Sequence, residues 1–137
     1  MAPREQMVRT AKQWIQAHNE RSADGHSFVA SLTSTDFVAR TFSSSLQAPS
    51  KNREEYLAFQ ARSLTLFDTY RATETDMIVD EAQNKVVYYL NAEGTGLVGE
   101  YKNEYIHKLT LMEDGSLIRG FDAFMDSQPL VAWMKKT

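Results

Sequence analysis

Two tyrosines, an asparagine and a histidine recur at every second position of LVGEYKNEYIHKLTL, residues 97 to 111. They are Tyr101, Asn103, Tyr105 and His107, and Leu97, Gly99, Leu109 and Leu111 continue the same odd-numbered set. The even set carries Glu100, Lys102, Glu104, Lys108 and Thr110. Successive side chains of a strand point to opposite faces, so one long strand presents a charged, solvated face and a second face that is apolar at both ends. Between those ends stand four hydrogen-bonding groups, each of which costs energy to bury unless it is paired. Phenols can hold a carbonyl oxygen and an imidazole can move a proton, so the row reads as a pocket lining suited to acid–base chemistry. The alternative is two large strand-forming rings packing a core with their hydroxyls reaching water. Asn103 and His107 beside the tyrosines favour the pocket.

Arg40 and Asp122 are the charged candidates. Thr35 to Phe42 alternates as a strand, and if Val38 and Phe42 face the core then Arg40 lies between them on that face. A guanidinium keeps its proton, so it would there meet a carboxylate or an anionic ligand, or snorkel to water. A salt bridge to Asp122 satisfies it as well as a ligand does. Asp122, between Phe121 and Phe124 in the last strand, gains proton affinity if its surroundings are apolar and then serves as general acid or base; the opposite parity points it to water. His18 reads as a hydrogen-bonded helix residue, and His26, in a glycine-containing loop, as exposed.

Other motifs fail on context. GTGLVG, residues 94 to 99, spells a dinucleotide-binding fingerprint, but a period-two strand follows the third glycine where a helix is required. Those glycines fit a turn and a bulge. There is no G-x-S-x-G elbow and no H-E-x-x-H helix, and the three histidines are scattered, so neither a metal nor a cofactor is expected.

The elements that must position these residues can be read from periodicity. Met7, Ala11, Trp14, Ile15 and His18 predict an amphipathic helix over 3–20. A second short helix is predicted from an Asp24 cap, with Phe28, Val29 and Leu32 inward, and a third over 51–66 from a Ser50 cap, with Tyr56 and either Phe59 or Gln60 on its buried side. Thereafter the period changes to two. Strands are predicted over 70–79, 85–92, 97–112 and 116–125, separated by DEAQN, AEGTG and EDGS, and a terminal helical segment follows Ser127. The order is α+β, a curved sheet wrapped around a helical layer.

Composition narrows the functional classes. The 137 residues suit one domain over 1–137, large enough to bury a core without crosslinks, and there is no cysteine for a disulfide, a thiolate metal site or a nucleophile. Basic and acidic residues are interspersed and the formal net charge is −3, which argues against nucleic acid as a partner. No apolar run reaches membrane-spanning length and MAPREQMVRT lacks a signal-peptide core, so a soluble cytoplasmic protein is expected, with no membrane partner.

HNERSADG after a Trp-bearing first helix, PSKNREEYLAF at the third helix, VDEAQNKVV at a hairpin, GEYKNEYIHKL, and DGSLI followed by FMDS together resemble the fungal SnoaL-like proteins of the nuclear-transport-factor-2-like superfamily. The resemblance covers nearly the whole chain. It implies a cone-shaped α+β barrel with a curved mixed or antiparallel sheet around the N-terminal helices, a deep apolar cavity, and a homodimer formed through the outer sheet face. It also implies a cofactor-free isomerase, cyclase, semipinacolase or dehydratase acting on terpenoid, polyketide or indole-alkaloid intermediates, or a carrier of the same fold. Semipinacolase-type members use an arginine on the first strand, a Tyr-x-x-x-Tyr pair and a glutamate on the last strand; Arg40, Tyr101 and Tyr105 match, whereas Ala123 stands where the glutamate is expected. Asp122 or His107 is then the expected proton carrier. Trp14, His18, Tyr56, Asn103, Phe121 and Ala123 are the expected substrate contacts.

Overall fold

Helix α1 (Arg4–Asn19) buries Met7, Thr10, Ala11, Trp14 and Ala17, the stripe that 3.6-residue periodicity selects. The computed structural model describes residues 2–42, 44–96 and 99–135; Leu97 of the predicted long strand lies outside the described residues. Helix α2 (Ala23–Ser31) is capped by Ser22, whose hydroxyl accepts the Gly25 N–H, and not by Asp24. Asp24 falls instead in the first turn, where its charge suits the helix dipole. A Cβ at Gly25 would collide with the Glu20 carbonyl, which explains the glycine. His26 therefore sits on a helix and not in a loop. Helix α3 (Arg53–Ser63) is capped by Asn52 and not by Ser50, because Glu55 completes a reciprocal capping box with Asn52.

Strands β1 (Thr33–Phe42), β2 (Lys51–Asn52), β3 (Phe67–Asp80), β4 (Lys85–Gly96), β5 (Gly99–Leu111) and β6 (Ile118–Met125) form one sheet in the order β2-β1-β6-β5-β4-β3. β1 runs parallel to β6, and every other pairing is antiparallel. β4 continues to Gly96, through residues whose glycines predicted a turn. Helix α4 (Ser127–Met134) follows β6, and its Asp126 cap accepts the Gln128 N–H. Among the described residues no helix is long and apolar enough to cross a membrane.

One face of the sheet closes on α1. Val86, Tyr88, Leu109 and Ile118 are fully buried there with Trp14 and Phe37, and each such side chain contributes roughly 1.5–3 kcal/mol of transfer free energy. The parity of β1 reverses the sequence reading: Phe37 and Ala39 point inward, while Val38 and Phe42 are 43% and 39% exposed. The cause is a second apolar surface. Phe42, Phe124, Ile106 and Tyr89 stand side by side in register across four strands on the outer face, so apolar character alone does not mark the core in β1.

Candidate active site

On β5 the expected alternation holds, and Tyr101 and Asn103 are buried with Tyr105 and His107 half-buried on the same inner face. Asn103 anchors a hydrogen-bonded chain. Its Oδ1 accepts the Glu104 N–H at 2.8 Å, so its Nδ2 is the donor to the Asp126 carbonyl at 2.9 Å and to the Tyr101 hydroxyl at 2.7 Å. The Tyr101 hydroxyl, which accepts from Asn103, is hydrogen-bonded to Tyr105 Oη 2.6 Å away, and the Tyr105 hydroxyl also interacts with that of Tyr70 on β3. Burial pushes the Tyr105 phenol well above its usual pKa, helped by the neighbouring Tyr70 and Tyr101, and pushes Tyr70 up to about 12. Both remain neutral O–H donors.

Two imidazoles share this interior and differ in their use. The Nδ1–H of His18 donates to the Trp14 carbonyl at 2.7 Å and its Nε2 accepts the Tyr56 O–H at 2.7 Å. Both nitrogens are occupied. Nδ1 of His107 meets the Tyr88 hydroxyl at 3.1 Å, and its Nε2 has no hydrogen-bond partner among the described residues. Burial lowers His18 to about 4, partly offset by its backbone bond, and lowers His107 to about 3, with His18 adding to the effect. Both are uncharged at neutral pH. The His107 ring contacts Tyr105 at 5.5 Å and Phe121 at 4.8 Å between centroids, and Phe121 also packs on Trp14 and Tyr56.

Trp14, His18 and Tyr56 pack on Phe121, which reaches the phenol wall through His107, and Ala123 points inward in register with His107. Arg40 and Asp122 do not. Arg40 is in register with Asp122 across β1 and β6 on the outer face, and the two form a bidentate pair at 2.8 and 2.7 Å that Lys108 joins at 3.3 Å. Burial alone would raise Asp122, but the hydrogen bonds and charge of Arg40, then of Lys108, hold it below the usual carboxylate range. Their place as catalytic residues is corrected on this ground: Asp122 keeps the parity opposite to Ala123 because no bulge intervenes between them. His26, expected to be exposed, is half-buried and bonded through Nδ1 to the buried Gln60.

Sequence reasoning missed Tyr88, Tyr70, Phe67, Arg21 and Trp133. The Val86, Tyr88, Leu90, Ala92 alternation was the signal for Tyr88, and Tyr70 shares parity with Ala72. Phe67, at the start of β3, meets Tyr70, Tyr101 and Trp133 with ring centroids 5.2, 5.7 and 4.7 Å away. The terminal helix that Pro129, Leu130, Val131 and Trp133 predicted as a cap for the end of the sheet does fold onto it, with Trp133 stacked on Phe67.

A groove of about 440 Å³ between α1 and β3 is lined by Lys12, Ile15, Gln16, Asn19, Glu20, Arg71 and Glu74 and lies apart from the phenol wall. A second, of about 260 Å³, is bounded by Tyr70, Gly94 and Tyr101 with charged neighbours, and it reaches the phenol end of the sheet. Among the described residues no three His, Asp or Glu side chains gather to hold a metal ion. The interior offers oriented neutral donors, one imidazole nitrogen without a partner, and aromatic walls.

No family model matches the chain. It is 32% identical to the austinoid biosynthesis cluster protein H of Aspergillus calidoustus, over 97% of this chain and 91% of that protein. Its fold superposes on the crystal structure of BvnE pinacolase from Penicillium brevicompactum with a TM-score of 0.90 and 26% identity, covering 97% of this chain and 94% of that one. A SnoaL-like polyketide cyclase from Jannaschia, at 16% identity and a TM-score of 0.76 over 96% of this chain and 91% of that one, shares the fold.

Proposed function

The chain belongs to the SnoaL-like family of the fungal austinoid-cluster H protein, and from that premise we propose that it is a cofactor-independent isomerase or cyclase of secondary metabolism. Its substrate is an apolar, carbonyl-bearing terpenoid, polyketide or indole-alkaloid intermediate, and its setting is the cytoplasm. The observation that carries the reading is the hydrogen-bonded chain from Asn103 through Tyr101 to Tyr105, which ends beside His107 in an interior lined by neutral groups.

Tyr105 donates its O–H to the carbonyl oxygen, and Tyr101, held by Asn103, stabilises the charge that develops there. His107 accepts a proton from carbon through Nε2 and returns it at another position, so that no atoms are gained or lost. Rings of Trp14, Tyr56 and Phe121 fold the apolar skeleton into a reactive conformer. Tyr105→Phe is expected to lower kcat by about a hundredfold or more while changing KM little, since the lost bond strengthens in the transition state. Wild-type turnover in this variant rejects the assignment.

The inward Ala123 favours a second reading, a carrier that binds the same metabolite without altering it, because a binder needs no acid there. Incubation with candidate intermediates at substoichiometric protein separates the two, as only an enzyme converts more than its own amount. The exposed row Phe42, Phe124, Ile106 and Tyr89 supports a homodimer through the outer face of the sheet. A sedimentation mass of one copy rejects that assembly.

A further inference from the structure

A cation stands beside the start of β3 with no carboxylate partner among the described residues. Arg21, between α1 and α2, is half-buried, its guanidinium 5.7 Å from the ring centres of both Phe67 and Tyr70. One Nη2 donates to the carbonyls of Ser63 and Phe67 at 3.0 and 3.2 Å. These are neutral acceptors, and although the Ser63 carbonyl belongs to the C-terminal turn of α3, whose dipole offsets part of the charge, no carboxylate among the described residues pairs with Arg21. The Arg21 Nε–H is buried with no acceptor among the described residues.

The Phe67 ring that Arg21 covers is stacked on its other contact by Trp133, 4.7 Å away and 10° from parallel. Trp133 is 5% exposed, and its indole N–H is likewise buried with no acceptor among the described residues. An indole N–H and a guanidinium can only donate. Two unsatisfied donors against one ring, one of them charged, select an oxygen that carries negative charge.

We propose that Arg21 and the Trp133 indole N–H form, with Tyr70, a subsite for an anionic oxygen of the substrate, a carboxylate or an enolate, seated against Phe67. This rests on the reading of the interior as a substrate site and supplies the positive charge that Arg40, turned outward, does not.

Decanoate and decanol, equal in chain and different in head group, test it by nuclear magnetic resonance titration. Decanoate is expected to bind about tenfold or more tightly than decanol, and to move downfield the indole proton that disappears in Trp133→Phe. Arg21→Gln is expected to bring the two affinities within about twofold, and Arg21→Lys to keep part of the preference. If Arg21→Gln does not fold, Trp133→Phe carries the test through a reduced preference for decanoate. Equal affinities in the wild type, an unchanged preference in Arg21→Gln, or a stationary indole signal overturns the subsite. Because binding is read apart from turnover, a protein that follows these rules yet converts no intermediate overturns the isomerase reading and leaves the subsite standing.

Discussion

The two faces of β5 and β6 hold different groups at neighbouring positions, charged outside and neutral inside. Outside, Lys108 and Arg40 converge on Asp122 with full charges. Inside, one residue away along each strand, stand His107, Leu109, Phe121 and Ala123, where the imidazole is kept neutral and the phenols hold their protons. Water makes the difference. Exposed charges stay solvated while they pair, whereas the interior offers only dipoles, so it keeps groups that can share a proton and remain uncharged. The arginine and acid that the family resemblance implied pair on the outer face, and the interior keeps neutral donors.

Leu109→Asp breaks this contrast most severely. Leu109 is fully buried, and its register partners are Val86 and Phe121. The substitution removes core packing and places a carboxylate where nothing can pair with it, at a cost of about 4 kcal/mol or more. The expected result in urea denaturation is a loss of most of the transition. Lys108→Ala, one residue earlier and on the outer face, should shift the midpoint little.

Acid weakens the same interior without mutation. Between about pH 6.5 and the lowered values of about 4 for His18 and about 3 for His107, the unfolded chain binds protons that the folded chain refuses. Stability is therefore full above pH 6.5 and falls as pH drops through this window. Each imidazole costs at most about 2 kcal/mol by pH 5. Thermal melts of the wild type and of His107→Gln at pH 7.5 and 5 should show the variant losing less. Equal losses would mean that His107 is hydrated in the folded state.

How much of this contrast was legible depended on whether a strand carried its own polarity signal. On β5 the charged even positions fixed the outward face, so Tyr101, Asn103, Tyr105 and His107 could be placed from the sequence. On β1 both parities are apolar, Phe37 and Ala39 against Val38 and Phe42, and the larger pair belongs to the outer row. Choosing the more apolar face therefore turned Arg40 inward. Asp122 followed the same ambiguity, because Phe121 and Phe124 lie on opposite faces of β6 and each face has an aromatic ring. Arg21 was beyond reach for another reason: its contacts with Phe67 and Tyr70 join segments far apart in sequence, and no local pattern encodes them, just as none named Phe67 as the ring under Trp133.

The smallest expected effect concerns the outer ion pair and decides whether it is structural. The Arg40 side chain is 52% exposed and that of Asp122 15%. Screening by solvent therefore limits the bidentate pair to about 1 kcal/mol or less, despite its geometry. Arg40→Ala, Asp122→Asn and the double variant form a cycle whose coupling energy in urea denaturation should fall in that range and shrink at high salt. Asp122→Asn should cost more than Arg40→Ala, because it also strips Lys108 of its partner. Activity should survive all three, since neither residue faces the interior. A catalytic collapse in Arg40→Ala with stability intact would mean that β1 turns over when substrate binds, and would return Arg40 to the site.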